Sequence, residues 1–153
     1  MFNPKKILVP TDFSESADKA VEHAADIAAK YNAKVTVLHV VEENVKQCAI
    51  DYMVDYCISD DFAKTFEREL MKASNERLAK QIASLKDSKK VDIAYMVKKG
   101  DTADAILNEQ DKMGADLIVI AAHGKIGVVK HEIGGVTDKV VRAAKCHVLI
   151  NKA

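Results

Sequence analysis

Short apolar runs alternate with stretches of helical periodicity along most of the chain. The apolar runs, several of them rich in β-branched residues, predict strands at 5–10, 34–41, 91–97, 117–122 and 147–151. Small or apolar residues recur at three- and four-residue spacing in between, which predicts helices over about 12–31, 66–85, 102–114 and 136–143. Strands that alternate with helices pair in parallel through right-handed crossovers, so both faces of the sheet are covered.

The strands differ in how they are patterned. Leu117 to Ala122 is an unbroken apolar run, which predicts a strand buried on both faces. Val91 to Val97 alternates apolar with polar residues, which predicts a half-buried strand at a sheet edge. Five strands and four helices in 153 residues favour a flavodoxin-like, doubly wound α/β fold.

Helix boundaries are marked by capping residues. Asp12 and Glu15 stand three residues apart, as in a capping box, which predicts Asp12 as the N-cap of the first helix. Asp101 and Thr102 open the third helix, and Gly114 ends it. Residues 42–61 have no clear period and are interpreted as a loop with a helical turn.

Candidate chemistry is concentrated at two strand ends. In doubly wound sheets, ligands bind beyond the carboxyl ends of the strands, where the strand order reverses. If the first and fourth strands are neighbours, that point lies between Pro10-Thr11-Asp12 and Ala121-Ala122-His123-Gly124. Gly134-Gly135 precedes the last helix, whose N-terminus could bind an anion. The alternative interpretation of the glycine pair is a plain tight turn.

Composition narrows the class of protein. The 153 residues are 48% hydrophobic, which favours one domain with a sizeable core. Twenty-three basic and 23 acidic residues leave the chain formally neutral, which argues against a nucleic-acid partner. No apolar run approaches the roughly 20 residues that span a bilayer, so we expect no membrane association and a cytoplasmic location. Three cysteines, an odd number, fit a reducing compartment.

Five blocks of sequence follow one another along the chain: KKILVPTDFSESADKAVEHA, VTVLHVV, KKGDTADAIL, GADLIVIAAHG and AAKCHVLI. In content and in order, these blocks resemble the universal stress protein family. The resemblance covers almost the whole length, so residues 1–153 are identified as a single universal stress protein domain. It implies the strand order 3-2-1-4-5 and a homodimer paired through the last strand, at His147, Val148, Leu149 and Ile150. An apolar uncovered edge is an aggregation hazard, which also favours such pairing.

The nucleotide-binding branch of the family has a glycine motif that this chain keeps in altered form. The family motif is glycine, two residues, glycine, nine residues, glycine, then Ser or Thr. Ala121 stands at its first glycine, Gly124 and Gly134 fit the second and third, and Gly135 replaces the hydroxyl residue. A hydrogen bond from that hydroxyl to a phosphate would be worth about 1.5–3 kcal/mol. Its loss predicts weakened binding, although Thr137 offers a hydroxyl nearby.

The resemblance also implies roles for the other residues of the site. Pro10, Thr11 and Asp12 form the wall near the ribose, with Asp12 placed for ribose hydroxyls or for a water bound to Mg²⁺. Val40 meets the adenine through its main chain. The phosphates lie over His123 and Gly124 and against the first turn of the last helix, which contains Gly135, Val136 and Thr137. The alternative interpretation of Asp12 is a helix cap alone.

Three functional hypotheses follow. The first is a stress-response protein that binds ATP, or ADP or AMP, as a regulatory ligand. The second is a member of the branch that binds no nucleotide and acts through dimerisation and partner surfaces. The third is a slow nucleotide hydrolase, although the sequence has no evident general base, metal-carboxylate cluster or positioned arginine.

Overall fold

Five parallel strands form one sheet at the centre of the structure, a computed structural model that describes residues 1–42, 60–124 and 133–152. The strands are β1 (Lys6–Pro10), β2 (Lys34–Val41), β3 (Asp92–Lys99), β4 (Leu117–Ala121) and β5 (His147–Asn151). Their spatial order is β3-β2-β1-β4-β5, and every pair is parallel. The flavodoxin-like, doubly wound order 3-2-1-4-5 is therefore confirmed.

Four helices cover the two faces of this sheet. They are α1 (Glu15–Tyr31), α2 (Asp60–Lys89), α3 (Thr102–Met113) and α4 (Gly135–Ala143). Side chains of α1 and α2 pack with Ile7 and Val9 on one face, and side chains of α3 and α4 pack with Leu8 on the other. Successive side chains of β1 thus point to opposite faces of the sheet and pack in two different hydrophobic clusters, as strand geometry requires.

The central strands are buried as their patterns predict. Every residue of β4 is buried, which confirms the expectation drawn from its unbroken apolar run. The buried stripe of α1 is mostly alanine, with Val21 the largest side chain in it. Small side chains let a helix axis come close to the sheet, so α1 lies tightly over β1 and β4.

Both edges of the sheet are partly open. β3 pairs with β2 over all eight of its residues and exposes half of them, which confirms the predicted edge strand. β5 pairs with β4 and exposes His147 and Leu149, whereas Val148 and Ile150 are half-buried. Pairing of β5 with a second copy of the chain stays a prediction.

The prediction that Asp12 caps the first helix is wrong. Ser14 is the N-cap of α1, and its hydroxyl accepts a hydrogen bond from the N–H of Ala17 at 3.2 Å. The chain turns at Phe13, whose φ of 63° lies in the left-handed region, so the helix begins after this turn. Asp12 instead accepts a hydrogen bond from the N–H of Ser14 at 2.9 Å, which closes a local Asx turn.

The two ends of α3 lie where the sequence predicts them. Asp101 caps α3 and accepts a hydrogen bond from the N–H of Asp104, which holds the pKa of the Asp101 carboxyl below its usual range. Gly114 ends α3 with a φ of 61°, a conformation that favours glycine. α2 begins at Asp60, six residues before the first marker of the sequence pattern. Most of the predicted loop at 42–61, with Cys48 and Cys57, lies outside the described residues.

Across the described ranges, none of the helices is both long enough and apolar enough to span a bilayer.

Candidate functional site

A cavity of about 510 Å³ opens at the carboxyl ends of β1, β2 and β4, beside the first turns of α3 and α4. This is the position at which the order of the strands reverses. The eleven residues predicted for a nucleotide site all line the cavity: Pro10, Thr11, Asp12, Val40, Ala121, His123, Gly124, Gly134, Gly135, Val136 and Thr137. The fold therefore brings together segments that lie up to 127 positions apart in the sequence, from Pro10 to Thr137.

The cavity has an apolar side and a glycine-rich side. Leu38 and Val40 of β2 and Ile106 of α3 belong to one hydrophobic cluster and line the apolar side. Gly124, after β4, and Gly134-Gly135, at the start of α4, lie on the other side. A flat, weakly polar group fits the first side, and an anion fits the second.

The turn between β1 and α1 is held by its own side chains. The N–H of Phe13 donates to Oγ1 of Thr11 at 3.1 Å, and the N–H of Ser14 donates to Oδ1 of Asp12 at 2.9 Å. The N–H of Thr11 donates to the carbonyl oxygen of Leu38 at 2.9 Å, which ties the turn to β2. The Asp12 carboxylate therefore lines the cavity in a fixed position.

Gly124 lies directly against this carboxylate. A Cβ atom at Gly124 would stand 2.7 Å from Oδ2 of Asp12, closer than van der Waals contact allows. The hydroxyl of Ser16 donates to the carbonyl oxygen of His123 at 2.9 Å and binds the two loops together. A side chain at 124 would thus have to displace the Asp12 carboxylate, because the β1–α1 turn comes close to the end of β4.

The N-terminus of α4 opens into the cavity. Gly134 is its N-cap and makes no side-chain capping hydrogen bond, while the N–H of Gly134 donates to the carbonyl oxygen of Ala122 at 2.8 Å. The next N–H groups belong to the first turn, where no intrahelical carbonyl is available to them. A Cβ atom at Gly135 would meet no atom of the described residues within 4 Å. Backbone donors and the helix dipole make this end attractive to an anion.

Glu42 and Thr102 line the cavity although sequence reasoning did not select them. The hydroxyl of Thr102 donates to Oε1 of Glu42 at 2.9 Å, which joins the end of β2 to the start of α3. The sequence did contain a signal for Glu42, because this residue directly follows a predicted strand, and ligands bind at the carboxyl ends of such strands. With Asp12, the described lining carries two carboxylates and no lysine or arginine. Within residues 1–42, 60–124 and 133–152, no cluster of three or more His, Cys, Asp or Glu side chains could hold a metal.

The sequence was compared with family models and with known proteins. A family model described as the universal stress protein family matches residues 3–152. The chain belongs to the universal stress protein family. Universal stress protein YxiE of Bacillus subtilis is 31% identical over 154 residues, a match that covers 98% of this chain and 99% of the relative.

Solved structures of universal stress proteins share the fold. UspA from Lactobacillus plantarum matches with a TM-score of 0.84 at 21% identity, over 99% of both chains. A universal stress protein solved in complex with cAMP matches with a TM-score of 0.63 at 25% identity, over 99% of this chain and 100% of that one. The first likeness shows the fold alone. The second describes a relative that binds a cyclic adenine nucleotide.

In this universal stress protein, the hydroxyl of Thr137 already has a partner within the fold. Thr137 is 4% exposed, and its Oγ1 donates to the carbonyl oxygen of Ala121 at 2.8 Å. A phosphate oxygen needs a donor, and the single proton of this hydroxyl is already used. The side chain of Thr137 therefore fastens α4 to β4, and a contact of its hydroxyl with a phosphate, which would need this bond to open, stays a prediction.

Removing this hydroxyl should destabilise the protein. We expect Thr137→Val to lower the free energy of unfolding by about 1–3 kcal/mol, because the carbonyl of Ala121 loses a buried donor. Thr137→Ser keeps the hydroxyl and should retain most of the stability. Urea unfolding of both variants measures the difference. A Val variant as stable as the wild type would show that the contact between α4 and β4 contributes nothing.

Proposed function

We propose that this universal stress protein binds an adenine nucleotide in the cavity and uses its occupancy as a regulatory signal. One observation carries the proposal: the N-terminus of α4 and Gly124 converge on a single cavity beside Asp12. The volume of about 510 Å³ lies within the roughly 300–1,000 Å³ usual for small-molecule sites. The relative solved with cAMP supports the ligand class.

The phosphates would lie on the glycine-rich side. Gly124 lets the main chain come close, and the N–H groups of Gly135 and Val136 would donate to phosphate oxygens. Gly135 contributes no hydroxyl, so these contacts come from the backbone. Binding should therefore be weaker than in a relative whose motif ends in Ser or Thr.

The base would lie on the opposite side, with the ribose between it and the phosphates, beside Asp12. The adenine ring would pack among Leu38, Val40 and Ile106. The main chain of Val40 would form hydrogen bonds with the edge of the ring. Asp12 would accept hydrogen bonds from the ribose hydroxyls. Its carboxylate also suits a water bound to Mg²⁺, since Mg²⁺ keeps several waters and takes one or two carboxylates together with phosphates.

The charge of the described lining bears on which nucleotide binds. Asp12 and Glu42 are acidic, and no lysine or arginine among the described lining residues offsets them. A triphosphate would need Mg²⁺ to reduce its charge, whereas AMP or a cyclic monophosphate carries less charge. We therefore expect ATP to bind in its Mg²⁺ form, with hydrolysis slow at most.

The second candidate is a universal stress protein that binds partners rather than nucleotides. Two observations favour it: the motif lacks its final hydroxyl at Gly135, and β5 exposes His147 and Leu149 at the sheet edge. Pairing of β5 with a second copy would give a twofold homodimer. This assembly is compatible with either function.

Calorimetric titration of nucleotide-stripped protein tests the proposal. AMP, ATP and ATP with Mg²⁺ are titrated separately, and GTP serves as the control for the base. We expect saturable binding of adenine nucleotides, with ATP strengthened by Mg²⁺. The absence of heat at several temperatures, up to millimolar AMP and ATP, would exclude the nucleotide site and leave the partner-binding function.

A further inference from the structure

Three side chains connect α2 to the cavity in one continuous stack. The guanidinium carbon of Arg77 stands 4.4 Å from the centre of the Phe13 ring. The ring of Phe13 packs against the imidazole of His39, with centroids 4.5 Å apart and planes inclined by 39°. His39 lines the cavity, and its Nδ1 lies 2.8 Å from the carbonyl oxygen of Thr11. The guanidinium of Arg77, a partly exposed residue of α2, is thereby linked to the wall of the proposed nucleotide site.

Phe13 is the strained member of this stack. Its φ of 63° is a conformation that bulky L residues rarely adopt, so surrounding contacts must maintain it. The N–H of Phe13 donates to Oγ1 of Thr11, and its ring is buried at 9% exposure. Arg77 adds two further contacts, because Nη2 donates to the carbonyl oxygen of Phe13 at 3.3 Å while the guanidinium covers the ring.

We propose that Arg77 is a positioning residue of the nucleotide site, acting through Phe13. By holding the ring and the carbonyl of Phe13, Arg77 keeps the β1–α1 turn in its strained conformation. That conformation places the Asp12 carboxylate against Gly124, where it would meet the ribose or a hydrated Mg²⁺. The consequence for ligand binding depends on the proposed function, whereas the effect on the turn does not.

The residue type fits this role. A planar guanidinium can lie flat on an aromatic face and donate to a carbonyl at the same time, whereas a lysine ammonium is a point charge without this geometry. Arg77 is otherwise exposed on α2, where a lone arginine would have little structural effect. Because binding free energies are reciprocal, a ligand that orders the turn would also strengthen the contact of Arg77 with Phe13. Ligand binding in the cavity would thus change how firmly Arg77 on α2 is held.

Amide hydrogen exchange in the ligand-free protein tests the effect on the turn. In Arg77→Met, the amides of Phe13 and Ser14 should exchange faster than in the wild type, with the core of α1 unchanged at Val21. Arg68→Met is the matched control, since Arg68 is exposed on the same helix and makes no hydrogen bond or ion pair within the described residues. Unchanged exchange at Phe13 and Ser14 in Arg77→Met would overturn the proposal.

Titration with AMP, measured on the same variants, tests the effect on the ligand. We expect Arg77→Met to bind AMP about two- to five-fold more weakly, the scale of a partly exposed cation–π contact. Arg77→Lys should recover part of this loss, and Arg68→Met should bind as the wild type does. A looser turn with unchanged affinity would overturn the role of Arg77 in ligand binding. A wild type that binds no AMP would instead refute the nucleotide site, and the exchange data would still decide the positioning of the turn.

Discussion

Gly124→Asp should abolish nucleotide binding while the fold persists. The new side chain would begin 2.7 Å from Oδ2 of Asp12, and its own charge would add a second carboxylate at the same place. The Asp12 carboxylate cannot move away freely, because Oδ1 accepts the hydrogen bond from Ser14. Two unit charges about 4 Å apart near a protein surface repel by about 4 kcal/mol, and phosphates would be repelled as well. We expect an affinity loss of at least about a hundredfold, measured by calorimetry.

The matched control is Gly135→Ala, which adds a methyl group in the same cavity at a point where none of the described residues lies within 4 Å. Circular dichroism should show native helix content for both variants. Wild-type affinity in Gly124→Asp would place the ligand elsewhere on the protein. Loss of binding in Gly135→Ala as well would mean that any added atom blocks the cavity, so the contact with Asp12 would not be the cause.

Gly135→Ser should strengthen nucleotide binding. It restores the hydroxyl at the last position of the family motif, and the new Cβ atom would meet no described residue within 4 Å. A hydrogen bond to a charged phosphate is worth about 1.5–3 kcal/mol, and part of this is lost in ordering the serine. We expect AMP or ATP with Mg²⁺ to bind about tenfold more tightly, a gain that calorimetry resolves.

Gly135→Ala again provides the control, because it adds the Cβ atom without the hydroxyl. Its affinity should stay near that of the wild type. If Ser and Ala variants bind equally, the hydroxyl makes no contact with the phosphate, and the family motif does not describe this site.

Much of the fold could be predicted because its signals are local. The apolar run of β4 and the alternation of β3 report burial directly, and both strands lie where their patterns place them. The convergence of Pro10-Thr11-Asp12 with Ala121 to Gly124 follows from strand order, since β1 and β4 are neighbours. Eleven of the cavity's lining residues could therefore be predicted, from strand ends and from the resemblance to the family's glycine motif.

The missed features depend on contacts that no local pattern encodes. Asp12 and Ser14 are both good N-cap residues, and the left-handed turn at Phe13 decides in favour of Ser14. Thr137 has a hydroxyl near the motif, yet its proton is donated to Ala121, 16 positions away. Arg77 looks like any charged residue on an outer helix face, and its contact with Phe13 spans 64 positions. Such pairs become visible only once the chain is folded.

A ¹⁵N-edited NMR titration of stripped wild-type protein with AMP is the most direct test of the proposed site. The proposal predicts saturable shifts of the Gly124, Gly135 and Val136 amides, while Ile93 on the far edge of the sheet stays unmoved. Equal protein concentrations without AMP provide the baseline. Shifts confined to other regions, or none at saturating AMP, would contradict the assignment of the cavity as an adenine-nucleotide site.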